Sequence, residues 1–366
     1  MKIECVKEKF QIAVAKAEKI TGKNPTLPIL SCILFETKNN NLVIKTTNLD
    51  LGFELSVPVK VIEPGSVAVP ATIISNFLNT TTNNKNIVLE TKENVLNIKT
   101  ENNNVNIKTL SPDDFPTIPT IHDGKTSKIQ SKDLTNGIKS VVYSASVSSV
   151  KPELASVYLY SNEDQLVFVS TDSFRLAEKT IKMKKPALVP GILIPFKNAA
   201  DIVKIIDTVD EEITLTAAKN QISFSFSGAY LVSRAIDGVF PDYKQIVPKE
   251  EKTKVTLLKQ DLANSLKTSG IFSDSFSQIN VAAESGAKSI LLKTRNANVG
   301  ESTVTVDATV DGESIAINFN ERYIADCLPS IASDSVNLFF NGANRALVIR
   351  GTSDKSFMYL VMPMNR

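Results

Sequence analysis

The chain writes one passage three times. Residues 69–78 (VPATIISNFL), 194–203 (IPFKNAADIV) and 319–328 (FNERYIADCL) align, with 125 residues between successive copies. A period this long exceeds any solenoid repeat, so each unit is expected to be a domain with its own core. Three periods account for nearly all 366 residues, where a single core would be unusually large. Units of one shape join through equivalent surfaces, which favours arcs, stacks or rings.

Each period opens on an amphipathic helical pattern. In the first, Phe10, Ala13, Val14, Ala17 and Ile20 fall on one side, and Lys9, Lys16, Lys19 and Lys23 on another. The second sets Leu134, Ile138, Val141, Val142 and Ala145 inside, with Lys132 and Lys139 outside. The third sets Leu258, Leu262, Leu266 and Gly270 inside, with Lys259 and Lys267 outside. Alternating, β-rich sequence follows, read as hairpins 33–36 with 42–45, 157–160 with 166–169, and 279–281 with 290–293. The second strand of each hairpin reaches a polar corner: Thr47-Asn48, Thr171-Asp172 and Thr294-Arg295. A second helix and another hairpin complete the unit, as in 87–91 with 95–100 and 212–216 with 221–226. The fold class is therefore α+β, three similar domains of two helices packed on mainly antiparallel sheet. Loops at 121–125 and 247–252 set the boundaries, giving domains 1–124, 125–251 and 252–366. The Thr/Asn runs at 80–84 and 102–104 read as turn filler and strand edges.

A net charge of +2 does not announce a nucleic-acid binder, but a balanced total can hide a basic face and an acidic face that cancel. Hydrophobic residues make up 42% of the chain, enough to fold. Cys5, Cys32 and Cys327 lie too far apart for a zinc or dithiol spacing and read as buried thiols. The start of the chain lacks a signal-peptide core and no apolar run could span a membrane, so a soluble, cytoplasmic protein is expected.

Catalytic signatures do not emerge. The single histidine, His122, falls in the first boundary loop without metal-ligating neighbours. Thr171-Asp172-Ser173 reads as a turn, since no base accompanies it, and Asp113-Asp114, beside Phe115-Pro116, reads as a solvated turn ending a strand, with a parallel at Val239-Phe240-Pro241-Asp242. No Walker, dinucleotide, zincin or nucleophile-elbow string occurs. No enzyme activity, cofactor or metal is expected.

Several short motifs, in order along the chain, carry a resemblance. They are PTLPIL at 25–30, LSPDDFP at 110–116, TDSFRL at 171–176, DGVFPDY at 237–243 and VMPM at 361–364. With the threefold period, the chain resembles the bacterial DNA polymerase III beta subunit, the replication sliding clamp, from end to end. The resemblance implies a head-to-tail homodimer whose six domains close a ring around double-stranded DNA and hold the polymerase there for processive synthesis. Helices would line the hole, and Lys9, Lys16, Lys19, Lys132, Lys139, Lys197, Lys204, Lys259, Lys267 and Arg322 would face phosphates without reading bases.

The same resemblance implies a pocket between the second and third units for short peptides. These would come from the DNA polymerase III catalytic subunit, the clamp loader, repair polymerases and other clamp-binding proteins. Matching positions are Leu154, Thr171, Arg175, Leu176, Pro241, Ile246, Asn320, Tyr323, Val361, Met362, Pro363 and Met364. Methionine is pliable and suits a pocket that takes several related peptides. In the implied dimer contact, Ile271 and Phe272 meet Val105 and Ile107 of the next chain. The chain departs from the family at Ser173-Phe174, where Gly-His is common, at Asn24, where a basic residue is usual, and at Asn365, where arginine usually follows the methionine. The rival readings are a nuclease with scattered acidic ligands and a monomeric scaffold that does not touch DNA.

Overall fold

The computed structural model describes residues 1–22, 26–81, 85–186, 188–248 and 250–364. The expectations for Lys23, Asn24 and Pro25, for Thr82, Asn83 and Asn84, for Lys249, and for Asn365 and Arg366 lie outside the described residues.

Helices α1 (Lys7–Glu18), α2 (Ala71–Thr80), α3 (Ser131–Lys139), α4 (Phe196–Ile206), α5 (Lys259–Gly270) and α6 (Glu321–Cys327) come two to a period. A strand runs directly into each of them: Lys2–Val6, Ser66–Pro70, Lys125–Gln130, Ile192–Pro195, Thr253–Leu258 and Ile315–Asn320. The passage repeated at 69, 194 and 319 is this strand-to-helix junction. Pro70 and Pro195 occupy its N-cap with φ of −55° and −49°, a dihedral that the pyrrolidine ring fixes in advance. Asn320 does the job by hydrogen bonding, its side chain accepting the Tyr323 N–H at 3.2 Å.

Three expectations are corrected. Leu258 does not join the inner face of α5; it ends the preceding strand and is 52% exposed. The helical pattern drawn through Ala145 breaks at Lys139, because residues 142–144 tighten into a 3₁₀ turn that leaves Val142 only half-buried. Thr294-Arg295 is not a corner but lies within strand Ser289–Asn296, where the Thr294 hydroxyl donates to the Ser269 carbonyl at 2.9 Å.

Compactness follows sheet pairing and not the sequence period. One compact unit comprises Met1–Leu134 and Leu188–Ala235, the other Thr135–Ala187 and Ile236–Arg366. In the first, strand Ala229–Arg234 of the middle period lies antiparallel to Leu51–Pro58 of the first, with Leu231 opposite Phe53 and Val232 opposite Gly52. A separate five-stranded sheet ends on strand Asn104–Lys108. In the second unit, strand Arg175–Lys182 of the middle period pairs with Phe357–Val361 of the third, from Lys179 opposite Phe357 to Arg175 opposite Val361. The alternation expected of half-buried strands is regular: Ile3 and Cys5 point in from Lys2–Val6, and Leu96 and Ile98 from Val95–Lys99.

The inner helix faces are apolar as expected. Phe10, Val14 and Ala17 of α1 are fully buried, with the Phe10 ring 5.3 Å from that of Phe35. On α3 the close neighbour is Phe168, and Gly137 is where helix meets ring. A Cβ built there would sit 2.4 Å from the Phe168 ring. Gly137→Ala is expected to destabilise the protein by about 1–3 kcal/mol through overpacking, more than the helix propensity that alanine adds. A denaturant midpoint unchanged or raised in that variant would show that the ring yields freely.

Candidate functional site

The chain builds one corner twice. At the first, the Thr47 hydroxyl donates to the Leu51 carbonyl at 2.7 Å and accepts the Leu49 N–H, while Asn48 Oδ1 accepts the N–H groups of Asp50 and Leu51. At the second, the Thr171 hydroxyl donates to the Arg175 carbonyl at 2.6 Å and accepts the Ser173 N–H, while Asp172 Oδ1 accepts from Phe174 and Arg175. Each turn contains a non-glycine residue in the left-handed region, Leu49 at φ 78° and Ser173 at φ 80°. Asn or Asp at the second position supplies the local acceptor that holds such a turn.

The corners differ in what leaves them. Leu51 enters its core, whereas Arg175 carries a guanidinium whose side chain is 12% exposed. Its Nε donates to Asp172 Oδ2 at 3.0 Å and its Nη1 to Asp326 Oδ2 at 2.5 Å. The guanidinium also lies over the Tyr323 ring, 4.4 Å from its centroid. Burial works against the charge, but Tyr359, Asp326 and Asp172 outweigh it and the group stays firmly protonated. Tyr323 and Asp326 stand three apart on α6, so one helix face supplies both the ring and the carboxylate.

The end of the chain is tied to this corner. Beyond strand Phe357–Val361, the Met362 N–H donates to the Phe174 carbonyl and the Met364 N–H to the Asn318 carbonyl, both at 2.8 Å. Val361, Leu176 and Leu154 are buried beneath it. Met362 is 38% exposed and Ile246 54%. Both line a cavity of about 490 Å³ together with Gln245, Val247, Asn341 and Arg345. Ile246 ends the 3₁₀ turn Tyr243–Ile246, whose first residue belongs to an aromatic cluster. Phe240 stacks on Tyr158 at 4.9 Å, and the Tyr243 hydroxyl bonds the Glu178 carboxylate and, at 2.8 Å, the Tyr160 hydroxyl.

Of the twelve pocket positions read from the sequence, Thr171, Arg175 and Tyr323 thus gather at the corner, and Ile246 and Met362 at the cavity. Asn320 caps α6 and donates to the Phe276 carbonyl at 3.1 Å. Pro241 is exposed, and Pro363 and Met364 are half-buried along the tail. Sequence reasoning missed Asp326, Gln245, Asn341 and Arg345. Asp326 carried one available signal, its place one turn after Tyr323 in the thrice-written passage.

The cations differ among themselves. Lys9, Lys132, Lys139, Lys197, Lys204, Lys267 and Arg322 are exposed. Lys132 pairs with Asp210 and Lys204 with Asp201, each at 2.7 Å, and Lys19 donates to the Lys204 carbonyl at 3.0 Å. Burial, together with neighbouring Lys19, pushes the Lys16 ammonium below its ordinary pKa. Lys259 is spent internally, donating to the Ile331 carbonyl at 2.7 Å. On strand Asn104–Lys108, Val105 is half-buried but Ile107, at 3% exposure, faces its own core and offers no side chain outward. Ile271 is 66% exposed and Phe272 half-buried. Among the described residues, no group of three or more His, Cys, Asp or Glu side chains could hold a metal ion, and no helix is long and apolar enough to cross a membrane.

Arg175 and Asp326 should be energetically coupled. A double-mutant cycle with Arg175→Met and Asp326→Asn is expected to return about 1 kcal/mol, discounted because the Asp326 side chain is 45% exposed. A cycle that closes at zero would leave Asp172 and the Tyr323 ring to hold Arg175.

Comparison with known proteins gives the same answer over nearly the whole length. Residues 1–119 match the DNA polymerase III beta subunit, N-terminal domain; residues 128–242 match its central domain and residues 244–365 its C-terminal domain. The chain is 24% identical over 356 residues to the beta sliding clamp of Staphylococcus aureus strain Mu50, covering 94% of each, and equally so to that of Staphylococcus epidermidis. Its fold is that of the DNA polymerase III beta subunit of Thermotoga maritima, at 24% identity and a TM-score of 0.94, covering 100% of this chain and 99% of that one. The sliding clamp of Bacillus subtilis superposes with the same TM-score and coverage at 23% identity. A three-domain α+β fold of mainly antiparallel sheet, matched domain by domain and in order, places this chain in the DNA polymerase III beta subunit family, the beta sliding clamps.

Proposed function

We propose that this chain is a non-enzymatic processivity factor: a homodimeric ring that encircles duplex DNA and tethers the DNA polymerase III catalytic subunit to it. The observation that carries this reading is the recurrence of exposed cations on helices of all three periods: Lys9 on α1, Lys132 and Lys139 on α3, Lys197 and Lys204 on α4, Lys267 on α5 and Arg322 on α6. Cations on helix faces meet phosphates of any sequence, and a sliding ring needs contacts that do not select bases. Lys259 and Lys19, occupied by backbone carbonyls, contribute less.

In this reading the sequence periods 1–124, 125–251 and 252–366 are the three domains of one protomer. The ring closes where Ile271 and Phe272 of one copy meet the open edge of strand Asn104–Lys108 in the next. An unpaired strand edge invites such addition, and a heterologous contact closes into a ring only when the domain rotation suits it. Val105, with Asn104 and Asn106 exposed on either side, presents that edge in place of Ile107. The tethering surface is the Arg175 corner together with the Met362 and Ile246 cavity, which receives peptides of the polymerase, the clamp loader and repair polymerases.

Two outcomes are expected. Protein loaded on closed circular DNA should stay bound through a salt wash and be lost once the circle is cut. Equal loss from circular and linear DNA would mean that electrostatic contact alone holds the complex. Removing residues 362–366 should abolish peptide binding and leave the dimer mass unchanged. Peptide affinity that survives this truncation would move the tethering surface elsewhere.

A further inference from the structure

The cavity beside Met362 contains an unanswered hydrogen-bonding group. Asn341 lines it, and both its Oδ1 and its Nδ2 are closed to solvent and without a hydrogen-bond partner among the described residues. A buried donor or acceptor left unpaired costs roughly 1–3 kcal/mol, so an amide unpaired at both ends is a standing cost to the fold. The turn that follows, where Gly342 has φ 98°, brings round Arg345, which lines the same cavity, is exposed, and forms no ion pair among the described residues. Ile246 and Met362 supply its apolar surface.

We propose that Asn341 and Arg345 form a recognition subsite for an extended peptide bearing an acidic residue beside its apolar anchor. The inference rests on the reading of this surface as the tethering site and adds to it a rule of selection. One side-chain amide offers a donor and an acceptor to a single main-chain peptide group, which offers the complementary acceptor and donor. A rotation about the Asn341 side-chain torsions turns the amide into the cavity, and the occupant then satisfies both atoms at once. The Arg345 guanidinium accepts a carboxylate through two parallel bonds, which lysine could not do. Glu250 also lines the cavity, without an ion pair to Arg345 among the described residues, and would repel an acidic residue placed on its side. The acidic residue therefore belongs at the Arg345 end of the peptide.

The test uses the full-length protein and fluorescein-labelled, capped hexapeptides that share two apolar residues and vary one flanking residue among Glu, Gln and Lys. Fluorescence polarisation is expected to rank Glu above Lys by roughly fivefold, the size of a half-exposed ion pair, and Arg345→Glu should invert the order. Asn341→Leu should weaken every peptide by roughly tenfold while its melting temperature holds or rises, since the variant loses a binding group and an unpaired buried amide together. A purely structural Asn341 would instead lower the melting temperature and leave affinity alone, which would overturn the proposal. Peptides that bind without charge preference, or with a preference unmoved by Arg345→Glu, overturn it while the tethering surface stands. Binding by none of the peptides overturns both.

Discussion

Antiparallel pairing between strands distant in sequence is the constraint on which the rest of this structure depends. Leu231 opposite Phe53 joins the middle third of the chain to the first, and Leu176 opposite Leu360 joins it to the last. Because side chains alternate with period two, a slip of one residue at either ladder would turn Phe53 or Leu360 from core to surface. Register at these ladders is thus fixed by burial, with each residue of Phe or Leu size contributing roughly 1.5–3 kcal/mol. The middle third accordingly lends strands to both compact units while keeping the sequence pattern of its neighbours.

The candidate site inherits its geometry from the second of these ladders. Arg175 stands opposite Val361 as its last pair, so the residue that carries the guanidinium and the residue that precedes Met362 are fixed side by side. From there Met362 continues the pairing onto Phe174, and Met364 reaches Asn318. A terminal segment would ordinarily fray; here two main-chain hydrogen bonds and the buried Val361 hold it. The same reasoning explains why Thr171 to Leu176 is more than a turn. Its twin at Thr47 to Leu51 has the same hydrogen bonds but sends a leucine inward, and no cationic corner results.

Much of this was legible in the sequence because it is local. The strand-to-helix junctions announce themselves through Pro70, Pro195 and Asn320, and the hairpins through alternation broken by polar turns. The inner faces of α1 and α5 follow from spacing alone, except at Leu258, where a strand residue fell by chance in helical register. Other features depend on distance in space. Thr294-Arg295 looks like the other corners until its hydroxyl is found bonded to Ser269, 25 residues earlier. Ile107 reads as an edge residue, and only the sheet shows which face of that edge is inward. Short strands such as Lys2–Val6 carry too few alternations to stand out from the helix that follows. Asp326 has only its place one turn after Tyr323 to mark it, since its partner is a guanidinium 151 residues away, and Asn341 has no local mark, since what distinguishes it is the lack of a hydrogen-bond partner among the described residues.

The central claim is that one chain of 39.9 kDa is half of a ring. Sedimentation equilibrium combined with negative-stain imaging of the full-length protein tests it most directly. A dimeric ring gives a mass twice that of the chain and particles with a central hole wide enough for duplex DNA. A mass of 39.9 kDa at every concentration, with solid or open particles, would contradict it.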